Sequence, residues 1–149
     1  MWRVAGILLA AGSSRRFGSN KLLALLADGT PLAMAAARRL IAAVPEAIAV
    51  VRPGDAELAA ALGAQGLRIV ECAQAQQGMG HSLAAGVAAT GTADAWLIAL
   101  ADMPYIKVST ITGLMAQLLD GAVLVAPFHA GRRGHPVGFA AGLGAELLA

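Results

Sequence analysis

Residues 9–21 read Leu-Ala-Ala-Gly-Ser-Ser-Arg-Arg-Phe-Gly-Ser-Asn-Lys and follow the apolar run Val4–Leu8. A strand that breaks into a small, glycine-bearing turn suits a triphosphate. Small residues let backbone N–H groups approach phosphate oxygens, and a following helix N-terminus adds a favourable dipole. Arg16 and Lys21 then supply two cations against the phosphate charge. Three further stretches carry groups that could do chemistry. Gly78-Met79-Gly80-His81-Ser82 precedes a helical pattern, and its glycines allow close approach to a flat base or ribose. There Ser82 reads equally as a ligand contact or as the N-cap of the next helix. Asp102, in Ala101-Asp102-Met103-Pro104, is either a carboxylate for a hard cation such as Mg²⁺ or a turn residue before Met-Pro. Arg132-Arg133-Gly134-His135-Pro136 offers guanidinium groups suited to a phosphate, or a basic hairpin tip in solvent.

Common phosphate loops do not fit residues 9–21. A Walker A loop needs Gly-x4-Gly-Lys-Ser/Thr, whereas Gly12 and Gly18 are six apart and Lys21 is followed by Leu22. The dinucleotide pattern Gly-x-Gly-x-x-Gly is absent from this turn. A secretory leader is disfavoured too, because no Ala-x-Ala site follows the apolar run cleanly and Arg15-Arg16 lie on its wrong side. The remaining alternative is an ordinary surface loop with two solvated arginines.

The elements that must position these residues alternate between strand and helix. Val4–Ala10 and Ala47–Val51 are apolar runs of strand length, suited to burial on both faces. Pro31 opens a helix through Ala43, and Pro45 follows its end. Asp55–Leu62 reads as a helix with Gly63 as its cap, and Leu67–Glu71 as a short strand. Ser82–Ala89 is expected to be helical, Ala95–Ala101 a strand, and Ser109–Leu119 a helix with Ile111, Leu114, Met115 and Leu118 on one face. Val123–Pro127 and Val137–Ala140 read as the last strands, and Leu143–Ala149 as helical. This rhythm predicts an α/β fold, a three-layer αβα, Rossmann-like arrangement around a mainly parallel sheet. Ligands of such sheets sit at strand C-terminal ends, which is where residues 10–21 and Asp102 leave their strands.

Bulk properties bound the partners. A chain of 149 residues is one domain's worth, 1–149, and can bury about 70% of its unfolded surface. Much of the apolar content is alanine, and no uninterrupted apolar stretch approaches the ~20 residues of a membrane span. A formal charge of +2, with arginines in pairs and few aromatic residues, argues against a nucleic-acid surface. A single cysteine, Cys72, excludes an internal disulfide framework and fits the cytoplasm. Cys72 reads as a small buried hydrophobe, Gln76 and Gln77 as solvent-facing residues that could read a base edge, and His81 as a loop histidine.

Leu-Ala-Ala-Gly-x-Ser-x-Arg-Phe-Gly-x-x-Lys resembles the signature of the MobA-like nucleotidyltransferases, and is most similar to the molybdenum cofactor cytidylyltransferases. The resemblance recurs in order at Gly78–Leu83, Ala101–Pro104 and Gly134–Val137. It implies a fold of the nucleotide-diphospho-sugar transferase type. It also implies transfer of CMP from CTP to the phosphate of molybdopterin with release of pyrophosphate, dependent on Mg²⁺. By resemblance, Leu9, Ala10, Ala11, Gly12, Arg16, Lys21, Gly80 and Ser82 contact the nucleotide, and Arg16, Lys21 and Asp102 are catalytic, with Asp102 on the metal. Arg133, Gly134 and His135 would lie on the acceptor side, and a molybdoenzyme or its chaperone would be the protein partner. Arg15 is the expected spectator. The family pattern continues to a Gly-Asp segment that supplies a second metal ligand, so the chain is expected to be a truncated form. Ala11 marks the cytidylyl branch, where the guanylyl branch tends to carry glycine. Sugar-phosphate nucleotidyltransferases and a non-catalytic nucleotide-binding protein are the alternatives.

Overall fold

The computed structural model describes residues 3–12, 15–16, 19–129 and 131–143. The regular elements run β1 Val4–Ala10, α1 Leu32–Ala43, β2 Ala47–Val51, α2 Ala56–Ala64, β3 Arg68–Glu71, α3 Met79–Ala89, β4 Ala95–Leu100, α4 Val108–Leu119, β5 Leu124–Val125 and β6 Val137–Ala140. The strands form one sheet in the order β3-β2-β1-β4-β6-β5. β1 is central and parallel to both neighbours, with Ile7 beside Ile48 on one side and Ile98 on the other. β6 runs antiparallel between β4 and β5, pairing Val137 with Ile98 and Gly138 with Val125. The mainly parallel α/β sheet read from the sequence is therefore present, with one reversed strand near its edge.

All seven residues of β1 are buried, because helices cover both faces of the sheet. Leu8 and Ala10 join Leu40, Leu62, Ile111 and Leu118 in the core beneath α1, α2 and α4. Ile7, Leu9 and Ala11 join Val50, Val87 and Trp96 beneath α3. Each fully buried Leu or Ile contributes about 1.5–3 kcal/mol relative to exposure. Helix α3 approaches β1 closely at Gly86, where an added Cβ would lie 2.7 Å from Ile7 Cγ2. The indole of Trp96 donates to Thr90 Oγ1 at 2.9 Å, and that hydroxyl donates to the Gly86 carbonyl at 2.7 Å, so the buried polar groups there are paired.

Several expectations change. α3 begins at Met79, three residues before Ser82, so Ser82 is not its N-cap and Gly78 holds that position. Gly63 lies inside α2, and the chain turns at Gln65–Gly66 instead. The strand expected over Val123–Pro127 shrinks to Leu124–Val125. Leu143 closes a short 3-10 turn, Ala141–Leu143, and the rest of the helix expected over Leu143–Ala149 lies outside the described residues. Two-residue hairpins, Arg15–Arg16 with Ser19–Asn20 and Phe128–His129 with Arg132–Arg133, were not legible as strands. No helix among the described residues is long and apolar enough to cross a membrane.

Candidate functional site

β1 and β4 end side by side, and the Ala101 N–H extends their ladder by donating to the Leu9 carbonyl at 3.1 Å. Their next residues, Ala11-Gly12 and Asp102, therefore emerge at one edge of the sheet on the side covered by α3. A cleft of ≈ 330 Å³ opens there. Leu9, Ala11 and Gly12 line it from β1, and Leu100 and Asp102 from β4. Ala75, Gly78, Met79 and Ser82, from α3 and the turn before it, complete the lining together with Leu22. The volume is that of a small-molecule site, and its lining is mostly apolar, with Ser82 and Asp102 as the polar side chains.

Each wall has a local cause. Gly78 sits at φ 137°, ψ 162°, a region open essentially to glycine, and this lets the chain leave the 3-10 turn Ala75–Gln77 and enter α3 at once. The first turn of α3 thus borders the cleft through Gly78, Met79 and Ser82, and a helix N-terminus is a favourable end for an anion or polar edge. Ser82 is 4% exposed and lines the cleft from within the helix. Asp102 is exposed and leaves the sheet where Pro104 is buried and the Met103 N–H donates to the Leu100 carbonyl at 3.2 Å. Arg39 of α1 braces the same loop, donating from Nη1 to the Ile106 carbonyl at 3.2 Å.

His135 lies across from the end of β4, because β6 runs antiparallel to it. With Arg39, Met103, Ile106 and Pro136 it lines a small cavity of ≈ 10 Å³ beneath the Asp102 loop. Burial holds the His135 imidazole below its ordinary range, the Arg133 charge adds to this, and Asp102 opposes it. Gly134 anchors the preceding hairpin by donating its N–H to the Pro127 carbonyl at 2.8 Å. Arg133 is exposed on that hairpin.

The cleft brings together Leu9, Ala11, Gly12, Ser82 and Asp102 from distant parts of the sequence. The Ala10 side chain is turned into the core beneath α1, so only its peptide could serve a ligand. Lys21 is half-buried and opens the 3-10 turn that carries Leu22 to the cleft. The Arg16 backbone pairs with Ser19, and its side chain lies outside what the structure describes. Gly80 is exposed on α3 and does not line the cleft, where Met79 and Gly78 stand instead. Cys72 is buried, as read from the sequence. Leu22, Ala75 and Leu100 escaped sequence reading because apolar cleft residues look like core. Among the described residues no cluster of three His, Cys, Asp or Glu side chains could hold a metal. A cation held through Asp102 would take its other oxygens from phosphates and water, the usual manner of Mg²⁺.

Comparison with known proteins gives the family and the fold. Residues 6–149 match the model of the MobA-like NTP transferase domain. Nicotine blue oxidoreductase of Paenarthrobacter nicotinovorans is 32% identical over 147 residues, spanning 94% of this chain and 72% of that protein. The crystal structure of Rv0371c from Mycobacterium tuberculosis H37Rv superposes with a TM-score of 0.85 at 23% identity, covering 99% of this chain and 76% of that one. A nucleotidyl transferase from Methanothermobacter thermautotroptrophicus superposes with a TM-score of 0.82 at 25% identity, covering 98% of this chain and 75% of that one.

Proposed function

The chain belongs to the MobA-like NTP transferase family, and on that premise we propose that it transfers CMP from CTP to the phosphate of molybdopterin, releasing pyrophosphate. The observation that carries this reading is the cleft at the ends of β1 and β4, where Ala11, Gly12, Ser82 and Asp102 converge. In this reading Leu9 to Gly12 face the nucleoside, with the Ala11 methyl narrowing the space for a purine. One methyl gives limited discrimination, about 10- to 200-fold in a hydrophobic pocket. Ser82 and the α3 N-terminus, at Gly78 and Met79, meet the ribose or base. Arg16 and Lys21 neutralise the triphosphate and the departing pyrophosphate.

Little covalent work falls to the protein in such a reaction, so positioning and charge neutralisation carry the rate. Asp102 would hold Mg²⁺, which as a Lewis acid draws charge from phosphate oxygens. Arg133, Gly134 and His135 form the acceptor side, and a molybdoenzyme or its chaperone would collect the product in the cytoplasm. The relative named as an oxidoreductase bears that activity in its own name, while the turn after β1 here lacks the dinucleotide pattern Gly-x-Gly-x-x-Gly.

Pyrophosphate release with CTP or GTP, Mg²⁺ and molybdopterin tests the proposal. CTP-dependent release is the expected result. Preference for GTP would move the chain to guanylyl transfer, and release only with a hexose 1-phosphate would give it a sugar acceptor. Tight nucleotide binding without release under any of these conditions would leave a binding protein.

A further inference from the structure

The hairpin over Phe128–Arg133 carries a group that none of the roles above uses. Phe128 is 71% exposed, the highest value among the large apolar side chains described. A phenyl ring left in water forgoes the burial that stabilises its counterparts in the core. Phe128 pairs directly with Arg133 across the two antiparallel strands. Side chains directly opposed in this way project from the same face, close enough to act together. Arg133 is exposed as well, so ring and guanidinium are both open to an incoming molecule.

The hairpin's position gives that face its meaning. It continues from β5 and returns into β6, and the Gly134–Pro127 hydrogen bond closes its base. β5 runs parallel to β4, so the hairpin rises from the edge at which Gly12 and Asp102 emerge. Along that edge the strands follow in the order β1, β4, β6, β5. The phosphate loop, Asp102, His135 and the hairpin therefore succeed one another in a row. Attacking and leaving oxygens of a phosphoryl-type displacement lie roughly in line. With the triphosphate held by the loop after β1, the attacker arrives from the β6–β5 side.

We propose that Phe128 and Arg133 form an acceptor arm, the ring stacking on a flat heterocycle and the guanidinium pairing with the phosphate that heterocycle bears. The arm rests on the transferase reading for its acceptor, and it makes Phe128 a specificity-determining residue. A planar, π-rich phosphate satisfies both groups, whereas a hexose phosphate would meet Arg133 and offer no π face to the ring. His135, two residues beyond Arg133, is held toward its neutral form, so near neutral pH the cationic charge of this segment is that of its arginines.

Equilibrium binding of molybdopterin and of its dephosphorylated form, without turnover, tests the arm. Phe128→Ala should raise the molybdopterin Kd about tenfold, the loss of roughly one base-to-aromatic stack, and Phe128→Tyr should keep it. Arg133→Ala should weaken molybdopterin and leave the dephosphorylated form unaffected. CTP affinity and thermal unfolding should stay unchanged in all three, since both side chains are exposed. A molybdopterin Kd within about twofold of the unsubstituted protein in both alanine variants overturns the arm. So does a lack of saturable pterin binding by the unsubstituted protein. Phe128-dependent pterin binding without pyrophosphate release would remove the transferase reading and leave the arm. Release with binding indifferent to Phe128 would do the reverse.

Discussion

At the scale of single residues, Asp102 and Lys21 separate chemistry from architecture. Asp102 is exposed and lines the cleft, so its carboxylate supports no core contact. Asp102→Asn keeps the shape and removes the charge that would hold a divalent cation. Its Mg²⁺-dependent turnover should fall on the order of 10²–10³-fold, judged against the loss of a single electrostatic donor, with the unfolding midpoint unchanged. Turnover equal to the unsubstituted protein would take Asp102 out of the metal site. Lys21 opens the turn after the loop proposed to hold the triphosphate, where an ammonium would meet the outer phosphates as a point charge. Lys21→Ala should therefore weaken CTP binding more than CMP binding in a calorimetric comparison. Equal weakening of both would place Lys21 away from the triphosphate.

At the scale of elements, close packing of α3 on β1 sets the wall of the cleft, and Gly86 is where they approach. A methyl there would press on Ile7, which is fully buried and branched at Cβ, and on Val50 behind it. Gly86→Ala gains about 1 kcal/mol of helix propensity and incurs about 1–3 kcal/mol of overpacking, so urea unfolding should show a net loss. Because α3 would also shift outward, nucleotide affinity should fall with stability; a stabilised variant would mean that the sheet yields. Three strands were legible in the sequence with their bounds, as apolar runs of strand length. They are Val4–Ala10, Ala47–Val51 and Val137–Ala140. The start of α3 was not legible, because Gly78, Gly80 and His81 are weak helix formers and Ser82 is a strong capping type. Gly78 takes the N-cap through a backbone conformation that composition does not reveal. Two-residue hairpins have no period to detect, so nothing in the sequence marks Phe128.

At the scale of the whole molecule, the site depends on contacts far apart in sequence, and these are what the sequence shows least. That residues 9–12 and Asp102 open at one edge followed from the parallel-sheet rule alone. That His135 lies across from β4 required the reversed direction of β6, which an apolar run cannot announce. This placement half-buries an imidazole between Arg133 and the Asp102 loop, and the folded state as a whole answers to its protonation. Its folded pKa is lowered from the ordinary value of 6.5, by burial first and Arg133 second. Above about pH 6.5 the imidazole is neutral whether the chain is folded or unfolded, and this contribution to stability is fully present. As pH falls below that point the unfolded chain takes up a proton that the folded protein resists, so stability declines. Unfolding free energies of the metal-free protein and of His135→Gln, compared from about pH 8 to about pH 5.5, isolate the effect because other groups cancel in the difference. The unsubstituted protein should lose more stability than the variant over that interval. A difference constant with pH would mean that Asp102 offsets burial and Arg133 in full, and that the two sides of the cleft are electrostatically closer than burial alone implies.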